Sequence, residues 1–321
     1  MGENPSPFLY LITEIIVDID DEYVGDRLIN RSTAITRTSV PFMDEKLGWE
    51  LPVLDHGCIR VIDYMGDDHA IDSAARMSYG EGTKRRNEAQ GLINYLMGHH
   101  HTSPFEMCEI KLHVKLPVFV ARQWIRHRTA NVNEYSARYS ILDNEFYIPE
   151  IQEITAQSTF NKQGRGEMLE GVLASNIRSR MQAHSQLSYN LYEWLLSEDV
   201  DLTRELARIN LPPNVYTQWV WKTDLHNLFH FLMLRADSHA QKEIRDYAEL
   251  LEWIVMGWVP MAWEAYRVYR KGAISFSAHE ALMIRAALAM PVLDPEEKPT
   301  WADMLSKREW KAFVGKINHI K

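Results

Sequence analysis

Only two cysteines, Cys58 and Cys108, occur in the 321 residues. So sparse a supply excludes a disulfide scaffold and makes reduced thiols in the cytoplasm the expected state. Neither stands in a Cys/His arrangement, which argues against catalysis by an activated thiolate. Long apolar runs are missing too: none approaches the roughly 20 residues of a membrane span. The segment Phe8 to Val17 is interrupted by Thr13 and Glu14 and follows no basic start, so a secretory signal is not expected. Glycine-rich phosphate loops of the Walker or dinucleotide-fold kind are absent, so a phosphorylated ligand must be held by other means. Nor is there an excess of basic charge. The 35 Lys and Arg stand against 44 Asp and Glu, a formal net charge of −9. A nucleic-acid binder draws much of its affinity from neutralising phosphates, so this balance favours a focused pocket for small anions over a polynucleotide track.

What the chain does have is arginine concentrated in one place. Arg122 to Tyr139 reads RQWIRHRTANVNEYSARY, with four arginines, a histidine, a glutamate and a serine framed by apolar residues. Arginine is always charged and forks bidentately onto phosphate, so such clustering is costly unless an anion is bound. The bland alternative is a basic surface turn making salt bridges. Ser136, two residues before Arg138, reads as a phosphate contact or a turn residue; as a nucleophile it has no evident base beside it. His99-His100-His101 invites a metal reading, but adjacent side chains cannot all point one way and no companion ligands occur at suitable spacing. No metal site is expected.

Helix dominates the periodicities, with strands in hairpin-like succession, which gives an α+β fold class. Strands are expected at Tyr10 to Val17, Cys58 to Tyr64 and Glu109 to Leu116, the last alternating with period two. Helices are expected at Asp68 to Met77, Asn87 to Met97, from Pro117 to Trp124, and from about Met168 to Leu196. Tyr135 to Tyr139 and Glu145 to Ile148 read as extended, and Gln157 to Gly166 as a surface loop. Asp224 to about Trp258 reads as one long helix, apolar nearly all round and therefore buried. On it His226 and His230 would share one face and Arg235 and His239 another. Helix candidates at Ser277 to Ala289 and after Thr300 close the chain.

The signature also resembles, nearly letter for letter, that of the flavin-dependent thymidylate synthases: an Arg-His-Arg triplet (Arg126, His127, Arg128) followed after seven residues by Ser136. His101-Thr-Ser-Pro-Phe-Glu106, Ala207-Arg-Ile-Asn-Leu-Pro212 and Leu234-Arg-Ala-Asp-Ser-His-Ala-Gln241 are similar to three further motifs of that family, in the same order. Asn131 and Met107 depart from the usual serine and histidine. The matches run from about Leu54 to Lys271, so residues 54–271 are expected to form the catalytic domain. Residues 1–53 would be an extension packed on it, and residues 272–321 a helical extension.

The resemblance implies a twisted, mainly antiparallel sheet flanked by long helices, assembled as a homotetramer with active sites at subunit interfaces. It implies reductive methylation of dUMP to dTMP, with FAD tightly bound, 5,10-methylenetetrahydrofolate as carbon donor and NADPH as reductant, and no cysteine nucleophile. Carried over by position, dUMP would be held by Gln123, Trp124, Ile125, Arg126, Glu134, Tyr135, Ser136, Ala137, Arg138, Arg208 and Arg235. Arg138, Ser136 and Arg208 would clamp its phosphate. Arg235 would be catalytic, favouring negative charge on the uracil so that its C5 becomes nucleophilic; the alternative is a structural salt bridge. FAD would be contacted by Ser103, Arg126, His127, Arg128, Glu134, Asp224, Leu225, His226 and His230, with the positive charge of the Arg-His-Arg triplet stabilising the anionic reduced flavin. The family often has asparagine at the positions of Asp224 and His230. His101, Tyr139 and Ser78 would lie near the folate and flavin, although Tyr139 is equally readable as an ordinary strand aromatic. The competing class is a nucleotide- or RNA-binding module built on the arginines, which the acidic balance disfavours. A family member with altered activity, such as a flavin oxidase or a methyltransferase for another pyrimidine, is the third reading.

Overall fold

A computed structural model describes residues 37–77, 89–159, 164–288, 294–302 and 305–318. The chain divides into two compact units, residues 1–38 and 39–321, and all that follows concerns the second. The expected strand at Tyr10 to Val17, and Ser78, lie outside the described residues.

A five-stranded antiparallel sheet forms the centre. Its strands are β1 (Leu51–Val53), β2 (Gly57–Met65), β3 (Glu109–Pro117), β4 (Asn131–Glu134) and β7 (Tyr216–Asp224), in the order β1-β2-β3-β7-β4. The expected α+β class is therefore observed as mixed helix and antiparallel sheet. In β3 the apolar residues Ile110, Leu112, Val114 and Leu116 are fully buried, while their alternating neighbours stay partly accessible. This is the period-two pattern of a strand with one face on a core.

The strand at Tyr216–Asp224 has the same alternation, with Trp219 and Trp221 pointing inward, and sequence reading overlooked it. It runs straight into the region expected to be one long helix. In the structure that region is the end of β7, then α7 (Leu225–Arg235), a turn, and α8 (Lys242–Trp258). The break has a local cause. The Asp237 carboxylate accepts from the His239 backbone N–H at 2.8 Å, and the Asp237 carbonyl accepts from the Ala240 N–H at 2.9 Å. A short acidic side chain offering itself to the backbone competes with helix continuation. His239 is consequently off the helix, and it shares no helical face with Arg235.

Three smaller expectations are corrected as well. Ser136 to Tyr139 is a turn, not an extended segment: the Tyr139 and Ser140 N–H groups both donate to the Ser136 carbonyl, at 3.0 and 3.1 Å. Part of the expected loop at Gln157 to Gly166 is a hairpin, β5 (Thr155–Gln157) paired with β6 (Arg165–Met168). That strand delays the long helix α5, which spans Gly171–Leu195. Elsewhere the expected helices fall near their places as α2 (Asp68–Met77), α3 (Ala89–Gly98) and α4 (Val118–Trp124), while the short helices α1 (Pro41–Lys46), α6 (Arg204–Ala207) and α9 (Pro260–Tyr266) add to them. Two more, α10 (Ala278–Leu288) and α11 (Lys307–Asn318), follow.

One face of the sheet packs on α7 and α8. Trp124, at the end of α4, is wholly buried between Trp221 (centroids 5.4 Å apart), Phe231 (4.6 Å) and Tyr247 (5.9 Å). Aromatic packing of this kind contributes beyond simple burial. It fixes the point where the chain leaves α4 and enters the arginine-rich turn. No described helix is long and apolar enough to cross a membrane.

Candidate active site

The turn after α4 carries Arg126, His127 and Arg128, and Trp124 anchors it: the His127 N–H donates to the Trp124 carbonyl at 3.0 Å. From the facing end of α7, Arg235 reaches into this turn. Its Nε donates to His127 Nε2 at 3.0 Å, and one terminal NH2 donates to the Gln123 carbonyl at 3.4 Å. The His127 ring rests against Phe231, centroids 4.9 Å apart, with His230 at 5.9 Å.

This arrangement corrects one expectation. Burial, then the Arg235 charge, then His230 push the His127 pKa down to about 4. His127 is therefore neutral at pH 7 and adds no positive charge to the turn. With Nε2 accepting from Arg235, the ring proton sits on Nδ1, which becomes a donor. A group whose folded pKa is depressed below its ordinary 6.5 contributes stability that is present above about pH 6.5 and lost as pH falls towards 4. Urea unfolding at pH 7.5 and 4.5 should accordingly lose about 1–3 kcal/mol more for the wild type than for His127→Gln. Equal losses would refute the neutral assignment.

Arg235 is itself partly buried, and burial lowers its pKa, yet arginine stays charged. Its partners are a neutral imidazole and a carbonyl, so the expected alternative of a structural salt bridge does not describe it. Among the described residues Arg126, Arg128, Arg208 and Arg235 make no ion pair. Three of these uncompensated guanidinium groups, those of Arg126, Arg128 and Arg235, belong to one turn and the helix end facing it, and they call for an anionic partner.

A second cluster lies at the Ser136–Tyr139 turn. The Arg138 N–H donates to Ser136 Oγ at 3.3 Å, and the Arg138 guanidinium pairs with Glu205 of α6 at 2.6 Å. Arg204 donates to the Tyr139 carbonyl at 3.2 Å. Arg138, Tyr139, Arg204 and Glu205 line a cleft of about 540 Å³. Arg208 opens the single turn Arg208–Asn210 that follows α6. On β4, the Glu134 carboxylate accepts from the Thr217 hydroxyl at 2.9 Å.

The remaining expected residues divide by burial. Ile125 and Tyr135 are exposed, with the Tyr135 hydroxyl donating to the Ile141 carbonyl; Tyr139 is largely exposed. Trp124, Leu225 and Ala137 are buried, the first two within the core, so any ligand contact from Trp124 or Leu225 is through the backbone. The Leu225 N–H is already given to the Cys108 carbonyl at 2.8 Å. Asp224 caps α7, its carboxylate accepting from the Asn227 N–H at 2.9 Å. His226 is partly buried and His230 exposed on α7. Ser103 and His101 are exposed on the loop before β3, the His101 ring lying over Tyr95 with centroids 5.9 Å apart. His99 and His101 share the Tyr95 ring, their own centroids 6.5 Å apart, while His100 between them turns away to Arg270.

Both cysteines are buried free thiols, and burial pushes both pKa values up. Neither is the low-pKa, accessible thiolate that nucleophilic attack requires. Sequence reading missed one group: Gln241, whose side-chain oxygen accepts from the Gln123 amide. It ends the fourth quoted motif, but its pairing with a residue 118 positions away leaves no local trace.

Fold and site together define an α+β protein that gathers uncompensated arginines around a buried aromatic anchor, a binding site for an anionic ligand. Residues 60–261 match the family model described as thymidylate synthase complementing protein. A flavin-dependent thymidylate synthase from Ruegeria pomeroyi is 57% identical over 284 residues, covering 88% of this chain and 92% of that one. Another from Rickettsia conorii is 50% identical over 289 residues, covering 87% and 97%. Among solved structures, a UMP/dUMP methylase from Streptomyces cacaoi bound with 5-Br dUMP superposes with a TM-score of 0.61 at 27% identity, covering 69% of this chain and 99% of that one. The chain belongs to the thymidylate synthase complementing family, the flavin-dependent thymidylate synthases.

Proposed function

We propose that this chain converts dUMP to dTMP by reductive methylation, with FAD as a tightly bound cofactor, 5,10-methylenetetrahydrofolate as carbon donor and NADPH as reductant. The observation that carries this reading is the charged, unpaired Arg235 held by neutral His127 beside the unpaired Arg126 and Arg128. The residues of the turn fit a reduced flavin: two free guanidinium groups and an imidazole Nδ1–H donor suit a planar ring that carries negative charge. Such a flavin, when bound, supplies the hydride that turns the transferred methylene into a methyl group.

The chain's own residues bind and polarise. Arg208, Ser136 and Arg138 hold the dUMP phosphate, while Gln123 and Glu134 hold the sugar and its neighbours. Arg235 faces the uracil and favours negative charge on it, which makes C5 nucleophilic without a covalent bond to the protein. His127 keeps the Arg235 fork oriented without neutralising it. Asp224, His226, His230, Ser103, His101 and Tyr139 complete the flavin and folate neighbourhood. We place these sites at subunit interfaces of a cytoplasmic homotetramer, which would join the Arg235 cluster of one protomer to residues of another.

The purified protein should be yellow, or become so with added FAD, and should bleach anaerobically with NADPH, faster when dUMP is present. Protein that stays colourless in excess FAD would rule the proposal out.

A further inference from the structure

Behind Gln123 the structure carries a hydrogen-bond network, anchored on a buried carboxylate, that the roles above leave unused. Glu243, in the first turn of α8, is 2% exposed. The helix N-terminus favours a carboxylate there. Its Oε1 takes hydrogen bonds from the Arg165 guanidinium and from the Tyr147 hydroxyl, the latter at 2.9 Å. Its Oε2 accepts from the Gln241 side-chain amide Nε2 at 2.9 Å. Gln241 Oε1 in turn accepts from Gln123 Nε2. An ionised carboxylate can only accept, so Gln241 must turn its NH2 towards Glu243 and its oxygen towards Gln123. Gln123 must then spend its NH2 on Gln241. The polarity of both amides follows from the carboxylate at the end of the relay.

We propose that Glu243 is a positioning residue which, through Gln241, fixes the Gln123 amide so that its carbonyl Oε1 is what the site offers the nucleotide, as acceptor for a hydrogen bond from it. This rests on the reading of Gln123 as a dUMP contact. The donor is a sugar hydroxyl or the uracil N3–H, the two groups of dUMP able to donate at neutral pH.

The relay has a property that mere structural support lacks: it can be inverted. In Glu243→Gln the Arg165 guanidinium still requires an acceptor, whereas the Tyr147 hydroxyl also reaches Glu153 at 3.1 Å, so the new carbonyl stays with Arg165 and its NH2 faces Gln241. Gln241 then turns round, and Gln123 with it, setting an NH2 against a nucleotide donor. Gln241→Met breaks the relay and leaves Gln123 free to choose. Gln241→Glu, sharing one proton with the Glu243 carboxylate that it faces, keeps an acceptor towards Gln123 and so preserves its sense.

The test is calorimetric binding of dUMP, 2′,3′-dideoxyuridine 5′-monophosphate and 3-deaza-dUMP to the full-length, FAD-loaded chain. In the wild type one analogue should bind about tenfold more weakly than dUMP, and which one identifies the donor. For Gln241→Met, dUMP should weaken about three- to tenfold and that analogue's penalty should shrink to within about twofold. Glu243→Gln should weaken dUMP further than Gln241→Met, whereas Gln241→Glu should retain the wild-type penalty. If Glu243→Gln fails to fold, the Gln241 pair decides, because Gln241 is exposed. Equal behaviour of Gln241→Met and Gln241→Glu, or no penalty for either analogue in the wild type, would overturn the relay alone. A wild type that binds no dUMP would overturn the functional reading and the relay with it.

Discussion

Arg235→Lys is expected to lower dTMP formation at saturating dUMP by about a hundredfold or more, the scale of losing a donor aimed at developing charge. Lysine keeps the charge but not the fork. In the structure Arg235 spends Nε on His127 and one NH2 on the Gln123 carbonyl, and the remaining N–H groups are held in a plane by those two bonds. An ammonium on a flexible stem could satisfy His127 or the substrate, not both in fixed geometry. Affinity for dUMP should fall by less than about tenfold if, as proposed, Arg208, Ser136 and Arg138 hold the phosphate. A loss seen mainly in kcat marks an interaction made in the transition state. Steady-state rates with dUMP titrated across each variant check this, and a fully active Arg235→Lys would remove the residue from its role.

The second large effect concerns the phosphate. Arg208→Ala should weaken dUMP binding by about 1.5–3 kcal/mol, the range for a lost hydrogen bond to a charged group. Arg138→Ala should cost less, because the Arg138 guanidinium is already paired with Glu205 and phosphate must displace that carboxylate. Both groups of that pair are more than half exposed, so the pair itself is worth little and gives way readily. It follows that Glu205→Gln should bind dUMP at least as tightly as the wild type. Uridine, lacking the phosphate, should bind poorly and respond to none of these changes. Calorimetry that finds Arg208→Ala unimpaired would place the clamp on other residues.

How much of this was legible in the chain depends on range. The arginine turn, β3 and the capped helix α2 are set by neighbours within a few residues, and spacing reveals them. The strand Tyr216–Asp224 has an equally plain alternation, but it lies between the Pro212-Pro213 break and the strong helical periodicity that begins at Asp224, and it went unread there. The break at Asp237 was hidden for a related reason: an aspartate followed by a serine is tolerated within a helix and ends one only when the side chain turns onto its own backbone. His127 shows a deeper limit. Its charge state depends on Arg235, 108 positions away, and on burial, neither of which the local sequence encodes. The Gln123–Gln241–Glu243 relay is invisible on the same ground, since Arg165 and Tyr147 come from separate loops and strands.

The account's central claim is that the methyl group's extra hydride comes from a reduced flavin and that no protein thiolate attacks the uracil, in keeping with two cysteines buried as raised-pKa thiols. The measurement that tests it most directly is identification of the folate product after FAD-loaded protein turns over dUMP, 5,10-methylenetetrahydrofolate and NADPH. Hydride delivery from flavin leaves the folate ring unoxidised, so tetrahydrofolate should appear in step with dTMP, and omitting NADPH, the only source of reduced flavin, should abolish both. Dihydrofolate formed one for one with dTMP would mean that the folate itself was the reductant, and would contradict the account.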